Sequence, residues 1–267
     1  MFTPMRSRTQ IIVTLGPSSA TDSIIFEIIE AGADAVRLNF SHGTHEEHAR
    51  YIAAVHAVSV RLGKRIPIIQ DLSGPRGKTE SGHAFDDAQS EITEKDLHDL
   101  EFGIAQNIDY IAQSYVGNAV DVENLRREIE KRGAHIPIIA KIERQEAVEN
   151  FDKILKEADA IMIARGDLGA EEPLGEIPFL ERDIIGKCNA AGKPIIVATQ
   201  ILYSMVESPE PTRAEVTDEV FAIISGADVV MLSDETARGK YPVEAVRAME
   251  QIAMRAERGE ERERNLL

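Results

Sequence analysis

Two short patterns alternate along this chain, and their alternation fixes what it can fold into. One pattern ends in aspartate and leads into an apolar run: Gly32-Ala-Asp34, Asn107-Ile-Asp109, Glu157-Ala-Asp159 and Gly226-Ala-Asp228. The other is Pro-Ile-Ile, at 67–69, 137–139 and 194–196. They interleave strictly, and the apolar run 10–15 precedes them all. Apolar runs of this length suit strands buried on both faces, the habit of a parallel sheet. The count is eight strands, with the aspartate type at two, four, six and eight and the proline type at three, five and seven. Proline is tolerated at a strand's first residue because no ladder donor is lost inside the sheet.

Helical periodicity fills the spaces between strands, over 22–30, 45–62, 94–106, 121–131, 179–190, 213–224 and 243–256. The segment 144–157 between strands five and six is the shortest. Thr44-x-x-Glu47 is a capping box, which predicts a helix start. Eight strand–helix alternations predict a single (β/α)8 TIM barrel, whose inner layers are drawn from alternate strands. A doubly wound open sheet is the alternative. The length of 267 residues matches the ~250 of such a barrel, so 1–267 is expected to be one domain. The stretch 73–92, after strand three, carries Gly74, Gly77, Gly82 and Asp86-Asp87 and reads as an exposed loop. The charged tail 257–267 is expected to fray or to end the last helix.

The formal net charge is −16, which disfavours nucleic acid and anionic membranes as partners. An anionic ligand would therefore need a local positive site, for which Arg37, Lys141 and Arg165 are candidates. The single cysteine, Cys188, permits no intramolecular disulfide and favours a reducing, cytoplasmic setting. No run is long enough to span a membrane, and the first residues lack a signal-peptide core.

Strand ends in a barrel collect catalytic groups. Here they deliver Arg37, Asn39 and Ser41, then Asp71, Ser114, Lys141 with Glu143, Asp167, Thr199, and Ser233 with Glu235. Alternation points Lys141 and Glu143 the same way, with Ile142 turned aside. Inward charges are costly unless they bind something, so Lys141, Glu143 and Asp167 read together as a site. Two carboxylates with no neighbouring Cys or His suit Mg2+ or Mn2+. Beyond them, Gly166-Asp-Leu-Gly169 offers backbone N–H groups to a carboxylate. A metal and a lysine facing one oxygen would stabilise an enolate or a transferring phosphoryl group, and Thr199 could pass a proton.

Three other signals carry less. Leu72-Ser-Gly-Pro-Arg-Gly-Lys-Thr79 lacks the first glycine of a phosphate loop and the helix that should follow. His42, His45 and His48 do not have the spacing of a zinc helix and suit capping and surface roles. Pro211-Thr-Arg-Ala-Glu215 most simply starts a helix, with a subunit contact as the sharper alternative.

Several longer motifs resemble the catalytic barrel of the pyruvate kinase family. They are Val36-Arg-Leu-Asn-Phe-Ser-His-Gly-Thr44, Ala140-Lys-Ile-Glu143, Ala164-Arg-Gly-Asp-Leu-Gly169, Ala198-Thr-Gln200 and Pro211-Thr-Arg-Ala-Glu215, between Ile11-Ile-Val-Thr-Leu-Gly-Pro17 and Asp234-Glu-Thr-Ala-Arg-Gly239. The resemblance runs from about residue 9 to 257. It implies phosphoryl transfer between phosphoenolpyruvate and ADP, giving pyruvate and ATP, in a cytoplasmic glycolytic enzyme. It implies that Arg37 and Lys141 contact the phosphoryl group, that Glu143 and Asp167 hold the divalent metal, and that Thr199 sits near the protonated carbon. Gly166, Asp167 and Ser114 would receive the substrate, and Arg76, Lys78 and Asn39 the nucleotide. Asn39, Ser41, Asp71 and the Leu72 carbonyl match positions that hold K+ in many members. Arg76 stands where many members have an acid, as in members that work without potassium. The family carries a lid domain after strand three and a C-terminal regulatory domain, neither of which fits here, and it assembles into homo-oligomers. A metal-dependent enolising enzyme or lyase acting on pyruvate or oxaloacetate, and a non-catalytic barrel scaffold, remain the alternatives.

Overall fold

A computed structural model describes residues 6–79, 82–86, 92–171 and 173–260. The aspartate and proline patterns begin the strands as expected. In chain order the strands are β1 (Gln10–Thr14), β2 (Ala35–Asn39), β3 (Ile68–Asp71), β4 (Arg76–Thr79), β5 (Gly82–Phe85), β6 (Tyr110–Gln113), β7 (Ile138–Ile142), β8 (Ala160–Ala164), β9 (Ile195–Ala198) and β10 (Val229–Leu232). All but β4 and β5 pair in parallel and in sequence order, and β10 closes onto β1. The fold is a single (β/α)8 barrel.

The two patterns have mechanical roles at the end where the strands begin. Each aspartate accepts an N–H from the first or second residue of a neighbouring odd-numbered barrel strand. Asp34 Oδ2 takes Ile11 N at 3.1 Å and Asp109 Oδ2 takes Ile68 N at 2.7 Å. Asp159 Oδ2 takes Ile138 N at 2.8 Å, and Asp228 Oδ2 takes Ile195 N at 3.0 Å. A hydrogen bond to a charged acceptor contributes roughly 1.5–3 kcal/mol, so these four clamps pin the register of half the barrel. The prolines lose nothing by lacking an N–H, because their carbonyls serve the ladder: Pro67, Pro137 and Pro194 accept from Val36, Ile111 and Ile161 at 2.9–3.0 Å.

Helices α1 (Asp22–Ala31), α2 (His45–Leu62), α3 (Glu94–Ala105) and α4 (Ala119–Lys131) cover the first half of the barrel. The stretch 144–157 splits into α5 (Gln145–Glu149) and α6 (Phe151–Glu157). Then come α7 (Arg165–Glu171), α8 (Ile177–Ala191), α9 (Arg213–Ile224), α10 (Asp234–Ala237) and α11 (Pro242–Glu260). The Thr44/Glu47 box forms as expected, and Thr212 with Glu215 makes another at the start of α9. None of the described helices is long and apolar enough to cross a membrane.

Alternation along the strands separates two cores. Outward residues such as Ile11, Leu38, Ile111, Ile142 and Ile161 pack against the helices. The inward set is small, with Ile12, Ile69, Ala112, Ile139, Met162, Ile196 and Met231 among it. Inward positions beyond it must therefore be filled by other kinds of side chain.

One expectation needs correction. Residues 73–92 do not form a loop throughout, because Arg76–Thr79 and Gly82–Phe85 pair as an antiparallel hairpin with Arg76 opposite Phe85. The alternation that would have announced it is broken by glycine and polar residues on both strands. Residues 80–81 and 87–91 of that stretch lie outside the described ones. The start of the charged tail belongs to the last helix, in keeping with one of its two expected roles, since α11 runs through Glu260; 261–267 likewise lie outside the described residues.

Candidate active site

Two residues beyond five of the inward apolar positions, at the end where the strands finish, the side chains become polar and charged. Ile12, Ala35, Ile69, Ala112 and Ile139 line the interior, so Thr14, Arg37, Asp71, Ser114 and Lys141 follow them by the period of two. All five are buried. The strands that bury a layer of Ile and Ala thus present a polar layer directly above it.

Asp71 is the centre of this layer. Arg37 donates from Nε to Asp71 Oδ2 at 2.7 Å, and its Nη2 lies 2.6 Å from the same oxygen. Lys141 Nζ donates to the other oxygen, Oδ1, at 3.1 Å. Ser114 Oγ accepts from Lys141 Nζ at 2.7 Å and donates to the Leu72 carbonyl at 2.8 Å. Lys141 Nζ also lies 2.9 Å from Glu143 Oε1. Burial alone would raise the Asp71 pKa, but the Arg37 and Lys141 charges outweigh it and hold the carboxyl below its usual range. Burial likewise opposes the Lys141 ammonium, yet Asp71 and Glu143 keep its pKa above the ordinary lysine value. The lysine is therefore a fixed cation rather than a base.

Glu143 is the side chain with capacity to spare. Its Oε2 accepts the Tyr115 N–H at 2.8 Å and its buried Oε1 pairs with the Lys141 ammonium at 2.9 Å, each oxygen keeping a second lone pair. Asp167, on α7, has much of its side chain in solvent. Even so, desolvation by the protein around its carboxyl, and then the nearby Glu143 charge, push its pKa up. Two carboxylates that repel each other across a mouth form a partial ligand set for a hard divalent cation. Among the described residues no three His, Cys, Asp or Glu side chains gather as a complete metal cage, so such an ion would keep positions open to other oxygens.

Thr199 follows β9 directly, in the left-handed region at φ 67°, with Gln200 beside it at φ 53°. Its Oγ1 accepts the Gly166 N–H at 2.7 Å. The expectation of freely available N–H groups at Gly166–Gly169 is corrected to that extent, since the first of them is already used. Left-handed backbone costs a non-glycine residue roughly 1–2 kcal/mol, and Arg165 supplies compensation. Its Nε donates to the Thr199 carbonyl at 3.2 Å and its Nη2 to the Gln200 carbonyl at 3.1 Å.

Arg165 is therefore not part of the positive site that sequence reasoning assigned to it. Ala160, Met162 and Ala164 face inward by alternation, so Arg165 turns to the helix layer. There it meets Glu219 at 2.8 Å, Asp218 at 2.5 Å and Glu181 at 3.5 Å. A pocket of about 410 Å3 beside it is lined by Arg165, Gly166, Glu181, Gln200 and Asp218, and by neither Lys141 nor Glu143.

The remaining expected residues divide. Asn39 Oδ1 accepts the Ser41 N–H at 3.1 Å. Arg76, at the base of the hairpin, is half-buried with its guanidinium carbon 5.4 Å from the Tyr115 ring centroid. Its Nε makes no hydrogen bond among the described residues, and its charge acts on Asp167. The Lys78 side chain lies outside what is described. Ser233 donates its N–H to Glu235, whose carboxylate also accepts from Leu202 N at 3.1 Å, so this pair closes the loop after β10. Sequence reasoning missed Thr14, whose Oγ1 accepts from Arg37 Nη1 at 3.2 Å and which the period of two could have found. It also missed Tyr115, whose contribution is a backbone N–H that no side-chain pattern announces.

The model of the pyruvate kinase barrel domain matches residues 6–90 and 85–246. The chain is 39% identical over 337 aligned positions to a pyruvate kinase of Geobacillus stearothermophilus, covering 95% of this chain and 57% of that protein. It is 34% identical over 336 positions to a pyruvate kinase of Dictyostelium discoideum, covering 94% and 66% respectively. For a pyruvate kinase of Staphylococcus aureus the identity is 35% over 333 positions, covering 94% and 57%. The chain thus spans 57–66% of the length of these relatives. With the closed barrel and the Arg37–Asp71–Lys141–Glu143 cluster at its mouth, these matches place the chain in the pyruvate kinase family.

Proposed function

We propose that this chain transfers a phosphoryl group between phosphoenolpyruvate and ADP, yielding pyruvate and ATP. The observation that carries the reading is the Lys141 ammonium. It is buried and fixed within 2.7–3.1 Å of Ser114, Asp71 and Glu143, with Arg37 on the far oxygen of Asp71. Two cations locked onto one buried carboxylate need no reorganisation when negative charge develops beside them, which is how preorganised sites stabilise transition states.

In this reading Lys141 and Arg37 face the transferring phosphoryl group and the oxygen from which it departs. Glu143 and Asp167 would hold Mg2+ or Mn2+, which when bound neutralises charge shared by the phosphoryl and carboxylate oxygens. Ser114 keeps Lys141 oriented, and Asp167 with Gly166 borders the place of the substrate carboxylate. When the phosphoryl group leaves, the enolate carbon needs a proton, and the Thr199 hydroxyl stands at the start of α7 to relay one. Arg76, Lys78 and Asn39 are assigned to the nucleotide phosphates. With Asp71 held by Arg37 and Lys141, and Leu72 O accepting from Ser114, potassium has little left to do. In keeping with the −16 net charge, the partners are small anionic molecules rather than nucleic acid.

A lactate dehydrogenase-coupled assay with phosphoenolpyruvate, ADP and Mg2+ tests this. Turnover is expected, and Lys141→Met is expected to abolish it. Proton exchange at the pyruvate methyl group without ATP formation would replace the proposal with an enolising or lyase activity. Turnover that survived Lys141→Met would refute the role given to the lysine.

A further inference from the structure

The hairpin of β4 and β5 is fastened to the residue that orients Glu143. Tyr115 is nearly buried, 6% exposed, and holds φ at 57°, a conformation that a bulky aromatic keeps only where its surroundings over-determine it. Both sides of its backbone are gripped. Its N–H donates to Glu143 Oε2 at 2.8 Å, and its carbonyl accepts from Arg144 Nη1 at 3.2 Å. Its ring is gripped too, with Phe85 of β5 at 5.8 Å between centroids and Arg76 of β4 at 5.4 Å. These two hairpin residues are cross-strand partners. The Arg144 guanidinium lies 3.7 Å from the Phe85 ring centroid and pairs with Glu146.

We propose that Phe85 and Arg144 are positioning residues for Glu143. Through Tyr115, the hairpin holds this carboxylate in place and so sets the affinity of the site for a divalent cation. The inference rests on the reading of Glu143 as a metal ligand. The chain of contact is short: Phe85 stacks on Arg144, Arg144 fixes the Tyr115 carbonyl, and the Tyr115 N–H fixes Glu143. Loss of the ring or the guanidinium frees the Tyr115 peptide to leave its left-handed conformation. Glu143 Oε2 then loses its donor. Groups that orient a ligating carboxylate are worth roughly 10- to 100-fold in metal affinity.

The test is Mn2+ binding to the full chain without substrates, read as loss of the free Mn2+ signal in electron paramagnetic resonance. Arg144→Ala and Phe85→Leu are each expected to weaken binding by roughly tenfold or more. Arg144→Lys should recover much of the loss, because an ammonium still stacks on the ring and reaches the carbonyl. Circular dichroism should show an unchanged barrel, and Phe85→Leu serves as the probe if Arg144→Ala unfolds. Glu143→Gln is the control. If binding depends on Glu143 and both variants bind like the wild type, the positioning role is overturned while the metal reading stands. If the wild type shows no Glu143-dependent binding, the metal reading fails and the inference falls with it.

Discussion

Replacing Glu219 by glutamine probes the ion cluster that supports the Thr199 turn. One guanidinium, Arg165, faces three carboxylates, and two of these, Glu181 and Glu219, are almost wholly buried. Burial, only partly offset by Arg165, pushes the Glu219 carboxyl from 4.5 up to about 8. Burial does the same to Glu181, up to about 7, again against the pull of Arg165. A carboxyl whose pKa is higher in the folded chain than in the unfolded one keeps a proton that unfolding releases. Stability is then greatest below about pH 4.5 on this account and is lost as pH rises toward 8. For Glu219, the change from 4.5 to about 8 amounts to on the order of 5 kcal/mol once ionisation is complete, at ~1.4 kcal/mol per tenfold change in proton affinity. Glu181 adds in the same direction but not additively, since the two share Arg165. Glutamine imitates the protonated acid. Glu219→Gln should therefore match the wild type within ~0.5 kcal/mol only at about pH 4, exceed it by roughly 1 kcal/mol near pH 5.5, and be clearly the more stable at pH 9. The chain has no tryptophan, so guanidinium denaturation followed by far-UV circular dichroism at about pH 4, 5.5, 7 and 9 is the suitable measurement. Parallel stability profiles for the two proteins, or a variant that is weaker at every pH, would refute the reasoning.

Two further outcomes are expected. Asp159→Ala removes the acceptor of Ile138 N and the partner of Arg126; a loss of roughly 1–3 kcal/mol should appear in the denaturation midpoint. Mn2+ affinity should be unchanged, because the clamp lies at the opposite end of the barrel from Glu143. Exchange of K+ for tetramethylammonium should alter turnover less than about twofold, because Asp71 is already bound by Arg37 and Lys141 and the Leu72 carbonyl by Ser114; strong activation by potassium would show that those bonds give way to an ion.

Most of the barrel was legible because its repeat is a repeat of function. The aspartates recur since each takes an N–H at the start of a neighbouring strand, and the prolines recur where no N–H is needed. Helices α2 and α9 start where expected because a threonine–glutamate capping box closes the N-terminus of each. What escaped was short and local. The hairpin carries glycine at the positions that would have shown alternation. Helix α7 starts at the residue after β8 with no connecting turn to mark it.

The site divides along the same line, and Arg165 shows why. Lys141 and Glu143 were readable because both stand within reach of one strand's alternation, which turns them inward together. Arg165 follows Ala164, whose side chain already faces inward, so the same rule sends the guanidinium out to Glu181 and Glu219. Counting charges near a strand end placed it in the mouth; following parity one step further places it in the helix layer. Tyr115 marks the limit of parity itself. What it gives Glu143 is a backbone N–H, and every residue except proline has one. Only the left-handed turn aims that group, and the turn is held by Arg144 from the loop between β7 and α5 and by Phe85 from the hairpin. Such a contribution lies in long-range contacts, so it is absent from any local reading of the residue that makes it.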